Sequence, residues 1–276
     1  MEQQSELSPA QQARTSRAGA KGWIVAGTAA ASSLLAAALS LSDPSPPVPA
    51  TPVKSIPPLP RVDTAAPVRN YSDLVATLEQ ERLVLQAAFT RARTAAERMD
   101  VLHRARDVFV SSVVERLAPE WVGTPWDFNG TTEEPREGSI ACGYFVTTLL
   151  RDAGLPVERV RLAQQASETI ILRLTTNRYV HRFSRLPLSS FVDSVRAMGP
   201  GLSIVGLDCH VGFIASTDSS VLFIHSSYVS PRSVVIEHAE RSPVLAASNY
   251  RVLGRISDDD AVIRRWLSAA ANRTGR

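Results

Sequence analysis

Half of the chain's 18 prolines lie between Pro44 and Pro67. Proline fixes the φ angle and has no backbone N–H, so such a segment forms neither a helix interior nor a central strand. We expect residues 43–69 to be a semi-rigid, extended linker. No PxxP site in the linker has a convincing specificity residue, which favours a spacer over a peptide ligand. The segments before and after it must therefore be considered separately.

An uncharged run from Gly22 to Ser42 precedes the linker, and Arg14, Arg17 and Lys21 lie before that run. A positive flank followed by an apolar stretch that ends in small residues is typical of a secretory signal. The run is also close to the ~20 residues needed to cross a bilayer, so an uncleaved anchor in the inner membrane is an alternative. Either form of residues 1–42 predicts export to the cell envelope.

The composition limits what the rest of the chain can be. Apolar residues make up 44% and charged residues 21%, a balance that excludes disorder throughout the chain. The formal charge is only +3, and the absence of a basic stripe argues against a nucleic-acid partner. The two cysteines, Cys142 and Cys209, are too few for a disulfide scaffold or a four-cysteine zinc site.

The region that follows the linker, residues 70–118, has a helical pattern. Its apolar residues recur at spacings of three, four and seven from about Tyr71 to Leu117, which places them on one helical face. We expect Pro119 to end this pattern. The pattern predicts a long helix or a helical hairpin that packs on the main domain. A coiled-coil helix is an alternative, although the repeat is short.

Residues 119–257 have helical patterns first and strand patterns afterwards, which predicts an α+β domain with an antiparallel meander. We expect Ser139 to cap a helix that ends at Ala153, before Gly154. Residues 258–276 are expected to form a C-terminal tail with a short amphipathic piece. The other predicted helices are Leu162–Leu174 and Leu188–Ala197, and the predicted strands are Leu202–Val205, Cys209–Ala215, Val221–His225, Ser233–Glu237 and Tyr250–Ile256.

Cys142, His210 and His225 are the candidate catalytic residues. Cys142 lies near the start of a predicted helix, where unpaired N–H groups lower the pKa of a thiol. A nucleophilic cysteine also needs a base within hydrogen-bond reach. His210 and His225 lie on consecutive predicted strands, so both imidazoles can lie on one face of the sheet. This is the papain-type arrangement, in which one histidine takes the thiol proton and the other holds its ring.

Each of these residues also has a structural interpretation. Cys142 is an ordinary buried thiol or half of a disulfide with Cys209, which an exported location would permit. The two histidines are core residues or, with the cysteines, zinc ligands. Cys209 and His210 are adjacent in a predicted strand, so their side chains should point to opposite faces. We therefore expect Cys209 in the core, and we predict neither a metal site nor a cofactor.

From Gly123 onward, the sequence resembles the NlpC-type papain-like cysteine peptidases of bacterial cell envelopes. GTPWDFNG is similar to the family's Gly-x-Pro-Tyr-x-Trp-Gly-Gly motif, and ACGYFV is similar to its Asp-Cys-Ser-Gly-[Phe/Leu]-Val nucleophile motif. HVGFI and FIHSS are similar to its two histidine strands, in the same order. The resemblance covers about Val122 to Tyr228. It implies a helix that bears Cys142 packed on a small antiparallel sheet, and cleavage of peptide-stem bonds in peptidoglycan.

The departures from the family pattern concern substrate binding. Ala141 replaces the family's Asp and Gly143 its Ser, two positions that help to bind a free substrate amine. Trp126 replaces the motif's Tyr, and its indole N–H makes it a candidate oxyanion or substrate donor. The sequence thus predicts an exported cysteine hydrolase acting on peptidoglycan or another peptide. The alternatives are a binding module on the same scaffold without turnover, and an acyltransferase.

Overall fold

The computed structural model describes residues 70–270. The predicted signal or anchor in residues 1–42 and the predicted linker in residues 43–69 lie outside this range. Between residues 70 and 270, no helix combines the length and the apolar character that crossing a membrane requires.

A helical hairpin begins the described part of the chain. Helix α1 (Tyr71–Arg91) and helix α2 (Ala95–Ser111) are separated by a short break. Thr94 and Glu97 form a capping box that starts α2, in which each side chain accepts from the backbone N–H of the other residue. The structure therefore confirms the hairpin over the single long helix.

The hairpin continues through a π-helical turn at Ser112–Leu117 into the short helix α3 (Ala118–Trp121). Our prediction that Pro119 ends the helical pattern is wrong. Pro119 lies in α3, directly after the π-helical turn, and the helix ends at Trp121.

Helix α4 (Cys142–Asp152) is the predicted helix that bears Cys142. Ser139 does not cap it, because Ala141 occupies the N-cap position and no side chain accepts a capping hydrogen bond there. Gly154 follows the helix with a φ of +92°, as a residue after a helix end often does. The later helices are α5 (Arg159–Ala163), α6 (Ser167–Leu174), α7 (Leu188–Ala197), α8 (Pro243–Ala247) and α9 (Asp260–Ser268).

One antiparallel sheet of six strands lies in the part of the chain that the structure describes, in the order β1-β6-β2-β3-β4-β5. The predicted meander corresponds to the four consecutive strands from β2 to β5, and β6 pairs with the free edge of β2. The strands are β1 (Val180–Ser184), β2 (Gly201–Leu207), β3 (Val211–Ser216), β4 (Val221–Ser226), β5 (Val234–His238) and β6 (Tyr250–Gly254). The α+β class is thus confirmed.

Helices cover both faces of the sheet. Helix α4 packs against β3 and β4, and the larger core also includes α1, α2 and α9. A smaller core on the other face contains residues of α7 and α8. Trp266 of α9 is buried, and its indole N–H donates to the carbonyl oxygen of Ala153 at 2.6 Å. The segment that we expected to be a tail therefore helps to hold the far end of α4.

Candidate active site

The start of α4 is fixed by hydrogen bonds to the loop before it and to β4. The Ser226 hydroxyl donates to the carbonyl oxygen of Ile140 at 2.7 Å. The N–H of Ile140 donates to Pro125, and that of Ala141 donates to Gly130. These bonds hold Cys142, the first residue of α4, beside the strands that carry the two histidines.

The structure brings His210 and His225 into direct contact. His210 lies immediately before β3, and its Nε2 atom is 2.8 Å from Nδ1 of His225 in β4. The Nε2 atom of His225 is in turn 3.2 Å from Oε1 of Glu237 in β5. The result is a chain of three side chains across neighbouring strands.

The order of these hydrogen bonds assigns the tautomers of the neutral rings. The carboxylate of Glu237 only accepts, so Nε2–H of His225 is the donor to it. Nδ1 of His225 is then the acceptor, and Nε2–H of His210 donates to it. The remaining ring nitrogen of His210, Nδ1, therefore has a free lone pair. A nitrogen in that state is what a general base requires.

A glycine in the HVGFI motif permits this packing. A Cβ atom at Gly212 would lie 2.8 Å from the Cβ of His225 and 2.6 Å from the ring of Phe223. The Phe223 ring stacks on the His225 ring with centroids 3.9 Å apart. Gly212 therefore allows His225 to be held between its strand neighbours without a clash.

Both histidines are neutral near neutral pH. Burial lowers the pKa of His210 to about 3, and the nearby His225 contributes to the shift. Burial also lowers the pKa of His225, although the hydrogen bond and negative charge of Glu237 oppose the shift. The His225–Glu237 contact is therefore the one feature here that favours a positive charge on the histidine pair.

The pKa of the Cys142 thiol moves in the opposite direction from our expectation. Burial raises it, and this outweighs the backbone N–H groups of Val211, Gly143 and Cys142 itself, which lower it. Our prediction of a lowered pKa was wrong because desolvation disfavours a thiolate more than the helix start favours it. The resting site thus pairs a neutral thiol with a neutral imidazole.

Cys142 and His210 line the same cavity, which has a volume of about 260 Å³. The other walls are Gln165 in the loop between α5 and α6, Ser167 at the start of α6, and Leu207 at the end of β2. Within residues 70–270, no hydrogen bond joins the Cys142 thiol to the His210 ring. Hydrogen bonds of this kind are often long without substrate and shorten when substrate binds.

The end of α5 packs directly on the start of α4. A Cβ atom at Gly143 would overlap the carbonyl oxygen of Ala163. Gly143 therefore leaves room for this carbonyl oxygen, which occupies the space where a side chain would begin. The cavity is closed by main chain on this side of Cys142.

Cys209 lies in the bend between β2 and β3 and is exposed, so our prediction that it belongs to the core was wrong. The bend keeps it out of the strand whose alternation we used to place it. Both cysteines are free thiols, which excludes the disulfide alternative in this structure. In the part of the chain that the structure describes, no group of three or more His, Cys, Asp or Glu is placed to hold a metal ion.

Trp126 is half-buried near the site but does not line the Cys142 cavity. The Arg232 guanidinium lies over its ring at 4.7 Å, and the Tyr228 ring lies 6.3 Å away. Tyr228 is the closer neighbour of the histidine pair, with its ring centroid 5.2 Å from that of His210. The oxyanion role of Trp126 stays a prediction. Tyr228 is the residue whose ring neighbours both Trp126 and His210.

Sequence reasoning missed Glu237 and Tyr228. Glu237 is in a predicted strand, but its approach to His225 depends on the register between β4 and β5, in which His225 lies opposite Val235. Tyr228 follows the FIHSS motif by one residue, so its position next to a histidine strand was the available signal.

No protein family, curated protein or solved structure matches this chain.

Proposed function

We propose that this protein is a cysteine hydrolase that cleaves an amide or peptide bond through Cys142, His210 and His225. The observation that carries the proposal is the hydrogen-bonded order of His210, His225 and Glu237. That order leaves an unprotonated Nδ1 on the ring that shares a cavity with the Cys142 thiol. A nucleophile, a base and a group that orients the base are the three parts of a papain-type site.

In the proposed reaction, Nδ1 of His210 takes the thiol proton as Sγ of Cys142 attacks the carbonyl carbon. The backbone N–H of Cys142, at the open end of α4, meets the developing oxyanion. The C–N bond breaks, a thioester forms, and the proton on His210 goes to the leaving amine. Water then attacks the thioester, with His210 again as base, and releases the acid and the free thiol.

The charges of the site support transfer of the proton during attack. A negative charge that develops on Sγ raises the pKa of the nearby imidazole, since opposite charges stabilise each other. The carboxylate of Glu237 adds to this through His225, because it favours the protonated form of that ring. His225 and Glu237 are therefore positioning residues, and His210 is the group that moves the proton.

The substrate and location that we propose come from the sequence. Resemblance to NlpC-type peptidases favours a peptide stem of peptidoglycan as substrate. The apolar run in residues 22–42 favours export, either into the periplasm or to the outer side of the inner membrane. The proposed mechanism uses side chains and a backbone N–H of this chain together with water, and it includes no cofactor.

A binding module without turnover is the second candidate. The raised pKa of Cys142 favours it, since a buried neutral thiol is a weak nucleophile. Ala141 and Gly143, which replace two residues of the family's nucleophile motif, point in the same direction. The two candidates differ in whether products form.

Digestion of purified peptidoglycan, followed by mass analysis of the soluble products, tests the proposal. We expect the full chain to release peptide fragments and the Cys142→Ala variant to release none. The matched control is His103→Gln, because His103 is exposed on α2, away from the cavity. Binding to peptidoglycan without any new product from wild type would favour the binding module.

A further inference from the structure

The two cysteines of the chain line the same cavity, although they are distant in sequence. Cys142 begins α4, and Cys209 lies in the turn between β2 and β3. Both are free thiols. The proposed hydrolysis uses the sulfur of Cys142 alone. Cys209 is therefore a second sulfur at the site, and its chemistry is separate from that reaction.

The backbone of β3 holds the Cys142 sulfur close to this turn. The N–H of Val211, the first residue of β3, forms a hydrogen bond with Cys142. Val211 follows Cys209 by two residues, and consecutive Cα atoms are about 3.8 Å apart. A disulfide joins Cα atoms that are about 4.4–6.8 Å apart. Because the Cys142 sulfur contacts a backbone group so near Cys209, a local shift of the turn can bring the two sulfurs together.

The electrostatics of the site also place the two cysteines near each other. Burial is the main cause of the raised pKa of Cys142, and the charge of Cys209 adds to the shift. Burial likewise raises the pKa of Tyr228, and the shift is increased by a hydrogen bond to Cys209 and by the charges of both cysteines. Since charges interact more strongly the closer they lie, the three side chains form one cluster.

Hydrogen bonds hold the turn that carries Cys209 at the cavity. The carboxylate of Asp208 accepts from the backbone N–H groups of Asn249 and Tyr250, at 2.7 and 3.2 Å. The residue that precedes Cys209 is thus tied to the segment before β6. The Cys209 side chain is exposed and can change its rotamer while the turn stays in place.

The two thiols differ in their access to solvent. Cys209 is exposed, whereas Cys142 is half-buried and its burial disfavours the thiolate. Oxidation of cysteine by peroxides follows exposure and thiolate character. A peroxide in solution should therefore react with Cys209 first. Cys142 is then the neighbouring thiol, and Nδ1 of His210 in the same cavity is the base that can take its proton.

We propose that Cys142 and Cys209 are an oxidation site, at which a hydroperoxide converts the two thiols into a reversible disulfide. In the first step the Cys209 sulfur attacks the peroxide, the O–O bond breaks, and a sulfenic acid and an alcohol form (water in the case of hydrogen peroxide). In the second step Sγ of Cys142 attacks the Cys209 sulfur, and Nδ1 of His210 takes the thiol proton. The hydroxyl group leaves with that proton as water. The two cysteines lose two electrons, and the peroxide gains them.

The disulfide would switch off the proposed hydrolase, because Cys142 would no longer carry a free thiol. This consequence rests on the proposed function, whereas formation of the disulfide does not. A dithiol such as dithiothreitol reverses the bond by exchange, since its two thiols become a disulfide and both cysteines become thiols again. Peroxide and dithiol would thus set the fraction of active protein.

Peptide mass mapping of the full chain tests the disulfide. After treatment with hydrogen peroxide, alkylation and digestion without reductant, we expect a linked Cys142–Cys209 peptide pair, lighter by two hydrogen atoms than the separate peptides. Dithiothreitol should restore both free thiols. Cys142→Ser should trap the sulfenic acid on Cys209, which dimedone labels. A disulfide between two chains, sulfinic acids without the linked pair, or an unlabelled Cys209 in this variant would overturn the inference.

Activity measurements on an amide substrate separate this inference from the proposed function. Wild type should lose activity in peroxide and regain nearly all of it in dithiothreitol. Cys209→Ser should not regain it after excess peroxide, since Cys142 without a partner thiol is oxidised beyond the sulfenic acid. Ser219→Ala, in the exposed turn between β3 and β4 and outside the cavity, is the control and should behave as wild type.

The two proposals fail in different ways. If the linked pair forms but no substrate is turned over before oxidation, the hydrolase proposal fails and the disulfide stands. If substrate is turned over and peroxide produces no linked pair, the disulfide is wrong and the hydrolase stands. Recovery of Cys209→Ser in dithiothreitol to the same extent as wild type would also overturn the switch.

Discussion

His210 donates through Nε2 to Nδ1 of His225 over 2.8 Å, and this bond leaves Nδ1 as the nitrogen of the His210 ring that can accept a proton. The second ring is itself fixed, since it stacks on Phe223 and donates to Glu237. Three consecutive strands of the meander thus determine the protonation state of the proposed base. The consequences for activity can be tested one side chain at a time.

The first prediction concerns the nucleophile and its base. Cys142→Ser should abolish turnover with little change in thermal stability, because the hydroxyl differs little in volume from the thiol. His210→Ala should lower kcat about 10²–10⁴-fold, the range of a general base. The double variant should be no worse than Cys142→Ser alone, since groups that act together are not additive. Steady-state kinetics on one defined amide would show this, and full activity in both single variants would refute the mechanism.

The second prediction concerns the positioning residues. His225→Ala should lower kcat less than His210→Ala, since it removes orientation and leaves the proton acceptor. Glu237→Gln should lower kcat less again, because the amide keeps an oxygen near His225 but loses the charge that raises the pKa of that ring. The variant should also move the acidic limb of the pH–rate profile to lower pH. Glu240→Gln, an exposed neighbour paired with Arg196, is the control and should leave the profile unchanged.

The third prediction follows from the raised pKa of Cys142. The rate of alkylation at Cys142 by iodoacetamide should rise with pH through and above the ordinary thiol value of about 8.5, because the thiolate is the reactive form. Peptide mass mapping across pH 6–10 measures it. Cys209→Ser leaves Cys142 as the one thiol of the chain and isolates its profile. A plateau below pH 8 would show that the thiolate is stabilised in the resting site.

Local patterns predicted most of the elements around the site. The run of apolar residues in Val221–His225 and the helical spacing of Leu188–Ala197 depend on neighbours in the sequence, and both elements formed there. Strand β1 was missed because its sequence, VHRFS, has no apolar alternation. It lies at the edge of the sheet, where one side faces solvent and polar residues are tolerated.

The parts of the site that could not be predicted depend on distant segments. The contact between His225 and Glu237 needs the register of β4 against β5. Burial raises the pKa of Cys142, and the packing of distant segments such as the end of α5 at Ala163 against α4 cannot be read from the residues of the helix start. Our error on Cys209 has a similar cause, since one bend placed it outside the strand pattern. Local rules therefore located the reacting groups but not their electrostatic surroundings.

The fourth prediction concerns stability in acid. An unfolded His210 binds a proton near pH 6.5, whereas the folded residue binds one only near pH 3. The free energy of unfolding should therefore fall as the pH decreases from 6.5 toward 3, by up to about 1.4 kcal/mol per pH unit for this group. Urea unfolding at several pH values measures this, and the free energy of unfolding should fall less steeply with decreasing pH in His210→Gln than in wild type. His103→Gln, at an exposed position of α2, is the matched histidine control.

The fifth prediction concerns Arg82, which forms a buried ion pair with Glu79 within α1 and also donates hydrogen bonds to the end of α9. Arg82 is fully buried and donates to the Glu79 carboxylate at 2.7 and 2.8 Å and to two carbonyl oxygens of the C-terminal segment. Arg82→Leu should lower the free energy of unfolding by about 3–5 kcal/mol, because it leaves a buried carboxylate without its arginine. The matched surface variant is Arg104→Leu, whose pair with Asp100 is partly exposed, and its cost should be at most about 1 kcal/mol. If urea unfolding showed the same loss of unfolding free energy in both variants, burial would not explain how much the Arg82 pair stabilises the protein.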